Sequence, residues 1–189
     1  LPCPAVTLPW DDYRARVAEA IGIELDPEID DADLVVVGGG NTFQLLKECR
    51  NRVVLEKLRR MIVNNNVKYL GWSAGANLAC PTIRTTNDMP IVDPGGLDAL
   101  GLVTFQINPH YLSVALPGHH GETRDERLRE FARANPGLPV IGLPEADWLR
   151  VSGGAAELGG PHPAMGFEGE RQFRIQPGAR LPAATSNGA

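Results

Sequence analysis

A serine between two glycines offers the clearest chemistry in this sequence. Ser73 lies in segment 71–75 (GWSAG), directly after the apolar run 67–70 (VKYL). A buried strand followed by Gly-x-Ser-x-Gly is how many hydrolases present a nucleophilic serine on a sharp strand-to-helix turn. The glycines permit strained backbone conformations and leave room around the hydroxyl. Because small residues also occupy ordinary tight turns, the motif alone leaves a structural turn open as the alternative.

A histidine and a carboxylate follow two further predicted strands. His110 follows the apolar segment 102–107, and Glu145 follows segment 139–143. A serine nucleophile needs an imidazole to take its proton, and the imidazole needs a carboxylate to fix its tautomer and stabilise its cation. Taken singly, the histidine has an ordinary interpretation as a capping residue and the glutamate as an exposed loop acid. The prediction of a triad therefore rests on their joint placement.

A run of glycines ends another predicted strand at Gly38-Gly39-Gly40-Asn41. Acyl transfer needs fixed backbone N–H donors for an oxyanion, each contributing about 3 kcal/mol to lowering the barrier. The alternative is a phosphate-binding loop, since glycine-rich turns before helices also bind anions. The sequence has neither the P-loop pattern nor the dinucleotide spacing of glycines. We therefore favour an oxyanion hole.

The elements that position these groups alternate between strands and helices. We expect helices at 8–23, from 42 past Cys49, at 53–63 and at 123–134, and strands at 33–37, 67–70, 102–107 and 139–143. The β-branched run 33–37 is typical of a strand buried on both faces. The alternation predicts an α/β fold with a mostly parallel central sheet flanked by helices. Residues that follow separate strands then converge at the carboxyl edge of that sheet.

The C-terminal part of the sequence has a different character. Segments 155–158, 164–167 and 172–175 are short, apolar and separated by Gly and Pro, which predicts antiparallel strands. Beyond Pro177 we expect disorder.

Composition excludes several classes of protein. The 189 residues suit one domain, and 43% hydrophobic residues, 22% charged residues and a net charge of −5 are ordinary for a globular protein. The acidic balance argues against nucleic-acid binding, and no apolar run approaches the roughly 18 residues of a membrane span. The three cysteines form no C-x-x-C pair, so neither a disulfide framework nor a zinc site is indicated. Together with the lack of a signal peptide, they predict a cytoplasmic location.

The order of the candidate residues separates this chain from one large group of hydrolases. In the α/β-hydrolase fold the order is Ser, Asp or Glu, then His. Here His110 lies between Ser73 and Glu145. The chain therefore reaches the same geometry on a different scaffold.

Five segments form a dense pattern: 35–47 (VVVGGGNTFQLLK), 71–77 (GWSAGAN), 81–91 (PTIRTTNDMPI), 107–110 (INPH) and 121–124 (GETR). They closely resemble the peptidase E family of alpha-aspartyl dipeptidases, and the resemblance extends from about Trp10 to about Pro161. It implies a serine peptidase on a scaffold similar to the class I glutamine amidotransferases.

The resemblance also implies a set of site residues. The triad maps onto Ser73, His110 and Glu145, and the oxyanion hole onto the backbone of Gly40 and Ala74. The implied activity is release of N-terminal aspartate from Asp-Xaa dipeptides through an acyl-enzyme, with no metal and no cofactor.

Two departures from the family concern the N-terminal region. Family members carry a βα unit of several dozen residues ahead of segment 9–13 (PWDDY), and here almost all of it is absent. The link between Ile21 and Asp31 is also shorter than the resemblance leads us to expect. We expect a single peptidase domain over residues 1–177, with the N-terminal βα unit missing, and a flexible tail over 178–189.

Aspartate specificity requires a cation for the side-chain carboxylate and an acid for the free amine. A guanidinium can bond a carboxylate bidentately, which makes Arg124 the first choice and Arg84 the second, with a surface arginine as the alternative for each. Asp88 is the candidate for the ammonium, or else an Asx-turn residue. Asn41 and Thr85 are further candidate donors to the substrate.

Three other functions stay open at this point. A cyanophycinase-like peptidase would use the same scaffold on a polymer with aspartate in its backbone. A glutamine amidotransferase would need cysteine where Ser73 stands, and a non-catalytic module would have a broken triad. The expected partner is a small peptide substrate, without nucleic acid or membrane, and the expected assembly is a monomer or small homo-oligomer.

Overall fold

The computed structural model describes residues 32–65, 67–113 and 121–183. The helix predicted over 8–23 lies outside these residues. Boundaries of the other predicted helices agree with the structure to within a few residues, as is usual for helix ends.

The first sheet along the chain is a parallel pair of strands, and two helices connect the first strand to the second. Strand β1 (Leu34–Val37) pairs in parallel with β2 (Lys68–Gly71). Helices α1 (Thr42–Asn51) and α2 (Val54–Asn64) connect them. The short helix α3 (Ala74–Ala79) follows β2 directly. Apolar side chains of these elements share a core that includes Leu46, Cys49, Leu58, Leu78, Ile83 and Leu100.

The second sheet is mixed and carries the other candidate residues at its edge. Strands β3 (Gln106–Pro109) and β4 (Val140–Leu143) are parallel and joined through helix α4 (Arg124–Ala134). Two antiparallel strands, β7 (Ala164–Glu168) and β8 (Arg171–Ile175), extend the sheet beyond β4. Strand β4 is therefore paired on both sides, whereas β3 lies at the edge of this sheet among the described residues.

A third, antiparallel sheet is formed by β5 (Trp148–Ser152), β6 (Ala155–Gly159) and β9 (Arg180–Pro182). The predicted antiparallel strands in the C-terminal part are thus present. The prediction of disorder beyond Pro177 is wrong for residues up to 183. There β9 pairs with β6, Leu181 packs on the core and Ala183 is buried, while residues 184–189 lie outside the described part.

Two further expectations need correction. The strand predicted over 102–107 begins only at Gln106, because Leu100 and Leu102 donate their N–H groups to the carbonyls at the end of α3. Strand β1 is also not covered on both faces by the described residues. Leu34 and Val36 are 48% and 49% exposed, while Val35 and Val37 pack against the core.

The α/β class itself is confirmed, and both strand pairs joined by helices are parallel. Within the described residues the strands form three separate sheets, so the parallel part is smaller than predicted. No helix of the described residues is long and apolar enough to cross a membrane.

Candidate active site

Ser73 occupies a strained turn between β2 and α3. Its backbone has φ 54° and ψ −116°, a conformation that residues with a Cβ rarely adopt. Such strain persists only where the surroundings impose it, and it concentrates at functional sites. The turn is the sharp strand-to-helix turn that the Gly-x-Ser-x-Gly pattern predicts.

The two glycines around the serine are required by close packing. A Cβ on Gly71 would lie 2.7 Å from the carbonyl oxygen of Gly75. A Cβ on Gly75 would lie 2.2 Å from the carbonyl oxygen of Val37, in the neighbouring strand. The Tyr69 hydroxyl donates a hydrogen bond to the Gly75 carbonyl at 2.7 Å, and this bond holds the first turn of α3 in place. The motif therefore has a steric basis in this fold.

The glycine turn 38–40 lies directly beside the serine. A Cβ built on Gly39 would be 3.3 Å from Ser73 Cβ and 3.6 Å from its Oγ. Gly40 has φ 142°, in the region that favours glycine, and a Cβ there would meet nothing within 4 Å. Among the described residues, the N–H groups of Gly40 and Ala74 have no hydrogen-bond acceptor. The role of these two groups as an oxyanion hole stays a prediction.

His110 and Glu145 meet at the ends of the two parallel strands β3 and β4. The Nδ1 atom of His110 is hydrogen-bonded to Glu145 Oε1, and both side chains are accessible to solvent, at 48% and 77%. His110 also has a positive φ of 55°. The carboxylate is thus placed to orient the imidazole, and the other ring nitrogen, Nε2, is left to accept a proton.

The backbone beside His110 is held by its neighbour Tyr111. The Tyr111 ring packs over Gly142, where a Cβ would lie 2.6 Å from the ring, and its hydroxyl donates to Asp125 at 2.5 Å. Burial, together with the hydrogen bond to Asp125, raises the pKa of Tyr111 to about 12. The ring also meets Phe167 edge-on at 6.2 Å. These contacts fix the exit of β3 and so the position of His110.

Ser73 and His110 are not hydrogen-bonded to one another in the described structure, but one loop connects their surroundings. We call residues 85–89 the bridging loop. Its Asn87 donates to the carbonyl of Pro109 at 2.8 Å, next to His110. Its Met89 carbonyl accepts from the Asn41 amide at 2.9 Å, next to the glycine turn. Catalytic hydrogen bonds are often long or poorly aligned until substrate binds. The missing hydrogen bond between Ser73 and His110 therefore does not exclude a triad.

Arg124 lies at the start of α4, where a capping box between Thr123 and Glu126 fixes the helix end. Its Nη1 donates to the His110 carbonyl at 3.1 Å and contacts Asn108 Oδ1 at 3.4 Å. Desolvation by partial burial lowers the pKa of the guanidinium. A cation therefore lies beside the candidate base, at the carboxyl end of β3.

Arg84 lies elsewhere. Its Nη1 donates to Asn135 Oδ1 at 3.3 Å, and Asn135 follows the last residue of α4. The helix rises about 15 Å over its length. Arg124 is thus at the first residue of this helix, while Arg84 contacts the residue after its last, and of the two only Arg124 is adjacent to His110.

Three other predicted residues already have partners within the protein. Asn41 caps α1, its Oδ1 accepting from the N–H groups of Phe43 and Gln44. Thr85 is buried and donates to the Ile107 carbonyl at 2.9 Å. Asp88 is half-buried, and all of its described hydrogen bonds as an acceptor go to Oδ2. Their roles toward substrate stay predictions.

Sequence reasoning missed Asn87 and Asn108, which tie the bridging loop to β3. Asn108 is buried and donates to Asn87 Oδ1 at 2.7 Å and to the Thr85 carbonyl at 2.8 Å. The available signal was an amide residue inside an apolar strand, since a buried amide must find partners. In the described part of the chain, no three His, Cys, Asp or Glu side chains are grouped so as to hold a metal ion.

The strained serine turn and the hydrogen-bonded pair of His110 and Glu145 are the parts that a serine hydrolase needs, and comparison with known proteins decides the family. Residues 16–159 match Peptidase family S51. The chain belongs to this family. It is 50% identical to peptidase E of Escherichia coli, over 96% of this chain and 84% of that protein, and equally to peptidase E of Shigella boydii.

Solved structures show the same fold for this S51 peptidase. A candidate peptidase E from Listeria monocytogenes EGD-e superimposes with a TM-score of 0.54 at 24% identity, covering 75% of this chain and 68% of that chain. A peptidase from an acI-B1 Actinobacterium gives 0.58 at 15% identity, covering 92% and 75%. The resemblance to the peptidase E family is therefore confirmed, together with the α/β fold.

Membership of family S51 also establishes the kind of enzyme. The chain is a serine peptidase, as the sequence predicts, and its similarity to peptidase E supports a dipeptidase. A cyanophycinase-like activity and a non-catalytic module are not favoured by these matches.

Proposed function

We propose that this S51 peptidase hydrolyses Asp-Xaa dipeptides and releases N-terminal aspartate through an acyl-enzyme on Ser73. The observation that carries the proposal is the strained serine turn, with φ 54°, packed against the glycine turn 38–40. Among the described residues, the N–H of Gly40 in that turn and the N–H of Ala74 have no acceptor. The hydrogen-bonded pair of His110 and Glu145 at two neighbouring strand ends supports it.

In the first step Ser73 Oγ attacks the scissile carbonyl carbon while His110 Nε2 takes the hydroxyl proton. Glu145 keeps the Nδ1 proton in place and stabilises the imidazolium that forms. The carbonyl oxygen becomes an oxyanion, which the N–H groups of Gly40 and Ala74 bind. Because these donors belong to the backbone, they need no reorganisation when the charge develops.

In the second step the C–N bond breaks and the imidazolium of His110 gives its proton to the leaving amine, which departs as the free amino acid Xaa. Water then attacks the aspartyl ester on Ser73, again through His110 as base, and releases aspartate. The Ser–His contact must form for this chemistry, and we place its formation at substrate binding.

Specificity for aspartate follows from the charges near His110. Arg124 is the proposed partner of the substrate carboxylate, since it is partly desolvated and lies beside the base. The proposed partner of the α-ammonium is Asp88, whose Oδ1 has no hydrogen-bond donor among the described residues. A site built for charged groups rejects a neutral isostere strongly, because its own charges are then left unpaired.

We also propose a cytoplasmic location and a monomeric or small homo-oligomeric state. The support for the location is that Cys49 and Cys80 are free and buried, as expected of a chain kept reduced. The net charge of −5 supports the absence of a nucleic-acid partner.

The specificity test compares Asp-Leu, Asn-Leu, Glu-Leu and N-acetyl-Asp-Leu as substrates for the wild type, Arg124→Met and Arg84→Met. We expect Asp-Leu to be cleaved far faster than the others, and Arg124→Met to lower kcat/KM for Asp-Leu about 100-fold, since losing one partner of a charge pair costs about 2–5 kcal/mol. Arg84→Met is the matched control and should keep the wild-type preference. An unchanged ratio of Asp-Leu to Asn-Leu in Arg124→Met would refute the role of Arg124.

The triad test uses Ser73→Ala and Glu145→Gln. Loss of the serine should lower kcat about 10⁶-fold, and Glu145→Gln should lower it severely while aspartate binding is kept. Retention of more than about one percent of activity by Ser73→Ala would exclude Ser73 as the nucleophile.

A further inference from the structure

Asp88 makes a set of hydrogen bonds that the proposed reaction does not use. Its Oδ2 accepts from the Thr42 backbone N–H at 2.7 Å, from the Thr42 hydroxyl at 2.5 Å and from the Thr86 hydroxyl at 3.1 Å. Thr42 is fully buried. Hydrogen bonds to a carboxylate are shorter and roughly twice as strong as neutral ones. Asp88 therefore holds Thr42 firmly against the bridging loop.

These bonds complete the N-terminal end of α1. Thr42 is the first helical residue, and its N–H belongs to the four that have no acceptor within the helix. Asn41 satisfies the next two, on Phe43 and Gln44, and Asp88 satisfies that of Thr42. Two side chains from different parts of the chain thus fix one helix end.

The fixed helix end determines where the glycine turn lies. Gly40 is two residues before Thr42, is exposed, and has open space where a Cβ would be. A turn of glycines has no side chains of its own to pack. Its position therefore depends on hydrogen bonds at its ends. At the start these are Gly75 N–H to the Gly38 carbonyl and Trp72 N–H to the Val37 carbonyl, both at 3.2 Å. At the end they are the Asn41 amide to the Met89 carbonyl and the attachment of Thr42 to Asp88.

The same loop is attached at the candidate base. Asn87, the residue before Asp88, donates to the Pro109 carbonyl and accepts from Asn108. One short segment thus binds the helix end after the glycine turn and the strand end before His110. A change at Asp88 is expected to act on the relative position of the two parts.

We propose that Asp88, acting through Thr42, is a positioning residue that holds the N–H of Gly40 where the oxyanion forms. The proposal rests on the proposed function, since it assigns a support to that oxyanion hole, and it is separate from the ammonium contact assigned to Oδ1. Oxyanion donors act in the transition state, so their misplacement lowers kcat more than it raises KM.

The experiment uses Asp88→Asn, which keeps the shape but removes the charge. It also uses Thr42→Val, which removes the hydroxyl that donates to Asp88 and accepts from Thr86 but keeps the backbone N–H bond to Asp88. Asp93→Asn is the matched control, because Asp93 accepts from the N–H of Gly95 in a neighbouring exposed turn. Two rates are measured: turnover of Asp-Leu, and acetylation of Ser73 by p-nitrophenyl acetate. The second reagent has neither an ammonium nor a carboxylate, so it reports on the oxyanion hole without the specificity pocket.

We expect Asp88→Asn to slow both kcat for Asp-Leu and acetylation about 10- to 100-fold, below the loss seen on deleting an oxyanion donor outright. Thr42→Val should slow both about 3- to 10-fold with KM nearly unchanged, and Asp93→Asn should match the wild type. Thermal unfolding of each variant establishes that it is folded. If Asp88→Asn does not fold, Thr42→Val decides the question.

Two results would overturn the positioning role. One is acetylation at the wild-type rate in Asp88→Asn and Thr42→Val. The other is an effect of Asp88→Asn on KM for Asp-Leu alone, which would make Asp88 an ammonium partner only. Failure of the proposed function would give a different result, in which p-nitrophenyl acetate reacts with Ser73→Ala as fast as with the wild type. The positioning role of Asp88 would then be refuted as well.

Discussion

Replacing Ser73 by glycine should make the protein more stable while removing its activity. The serine has φ 54° and ψ −116°, and a residue with a Cβ in such a conformation costs about 1–3 kcal/mol. Glycine removes that cost. The greater freedom of the unfolded chain, however, lowers the free energy of unfolding by up to about 1 kcal/mol. The net gain in the free energy of unfolding is about 1 kcal/mol, or about 2–4 °C in Tm for a chain of this size.

The proper reference for this comparison is Ser73→Ala, which is equally inactive but keeps the Cβ and the strain. Thermal and urea unfolding of the two variants under identical conditions give the difference directly. Val53→Gly provides a control away from the site, because Val53 has φ 56°, is 71% exposed and precedes α2. It should gain stability by a similar amount and keep full activity.

The reasoning would be refuted if Ser73→Gly were no more stable than Ser73→Ala while Val53→Gly gained the expected amount. The strain would then lie elsewhere than at the serine. If neither glycine variant gained stability, backbone strain would not be a measurable quantity in this fold.

Two further predictions concern the packing around the site. Gly75→Ala should lower the free energy of unfolding by about 3 kcal/mol and reduce activity, since its Cβ would lie 2.2 Å from the Val37 carbonyl oxygen; wild-type stability in urea unfolding would contradict this. Burial raises the pKa of Tyr111 to about 12 from an ordinary value of about 10, so the folded state favours the protonated phenol. That contribution to stability is complete below about pH 10 and is lost as the pH rises toward 12, and Tyr111→Phe should make the decline shallower in unfolding measurements from pH 9 to 12.

The sequence alone identified polar residues that lie directly after strands. His110 and Glu145 each follow an apolar segment, and parallel strands carry such residues to one edge of a sheet. The hydrogen bond between His110 and Glu145 accords with this expectation, because β3 and β4 are neighbours. Ser73 follows β2, which among the described residues belongs to a separate sheet, so its convergence with the other two stays a prediction. The steric reason for the glycines at 71 and 75 also follows from the motif.

Side-chain partners that join distant segments could not be read from the sequence. Arg84 and Arg124 have the same chemistry, and only the course of α4 places one of them beside His110. Asp88 lies 46 residues from Thr42 along the chain, and no local pattern indicates that contact. Strand β9 was missed because its short segment has no apolar alternation, and its pairing with β6 is long-range.

The distribution of the candidate triad over three strand ends has a consequence during synthesis. Seventy-two residues separate Ser73 from Glu145, so the ribosome delivers the nucleophile roughly 4–14 s before its carboxylate, at 5–20 residues per second. Strand β4, which precedes Glu145, gains its second neighbour only when β7 has been made. A growing chain therefore carries the proposed nucleophile for some seconds before the carboxylate proposed to orient His110 has been made.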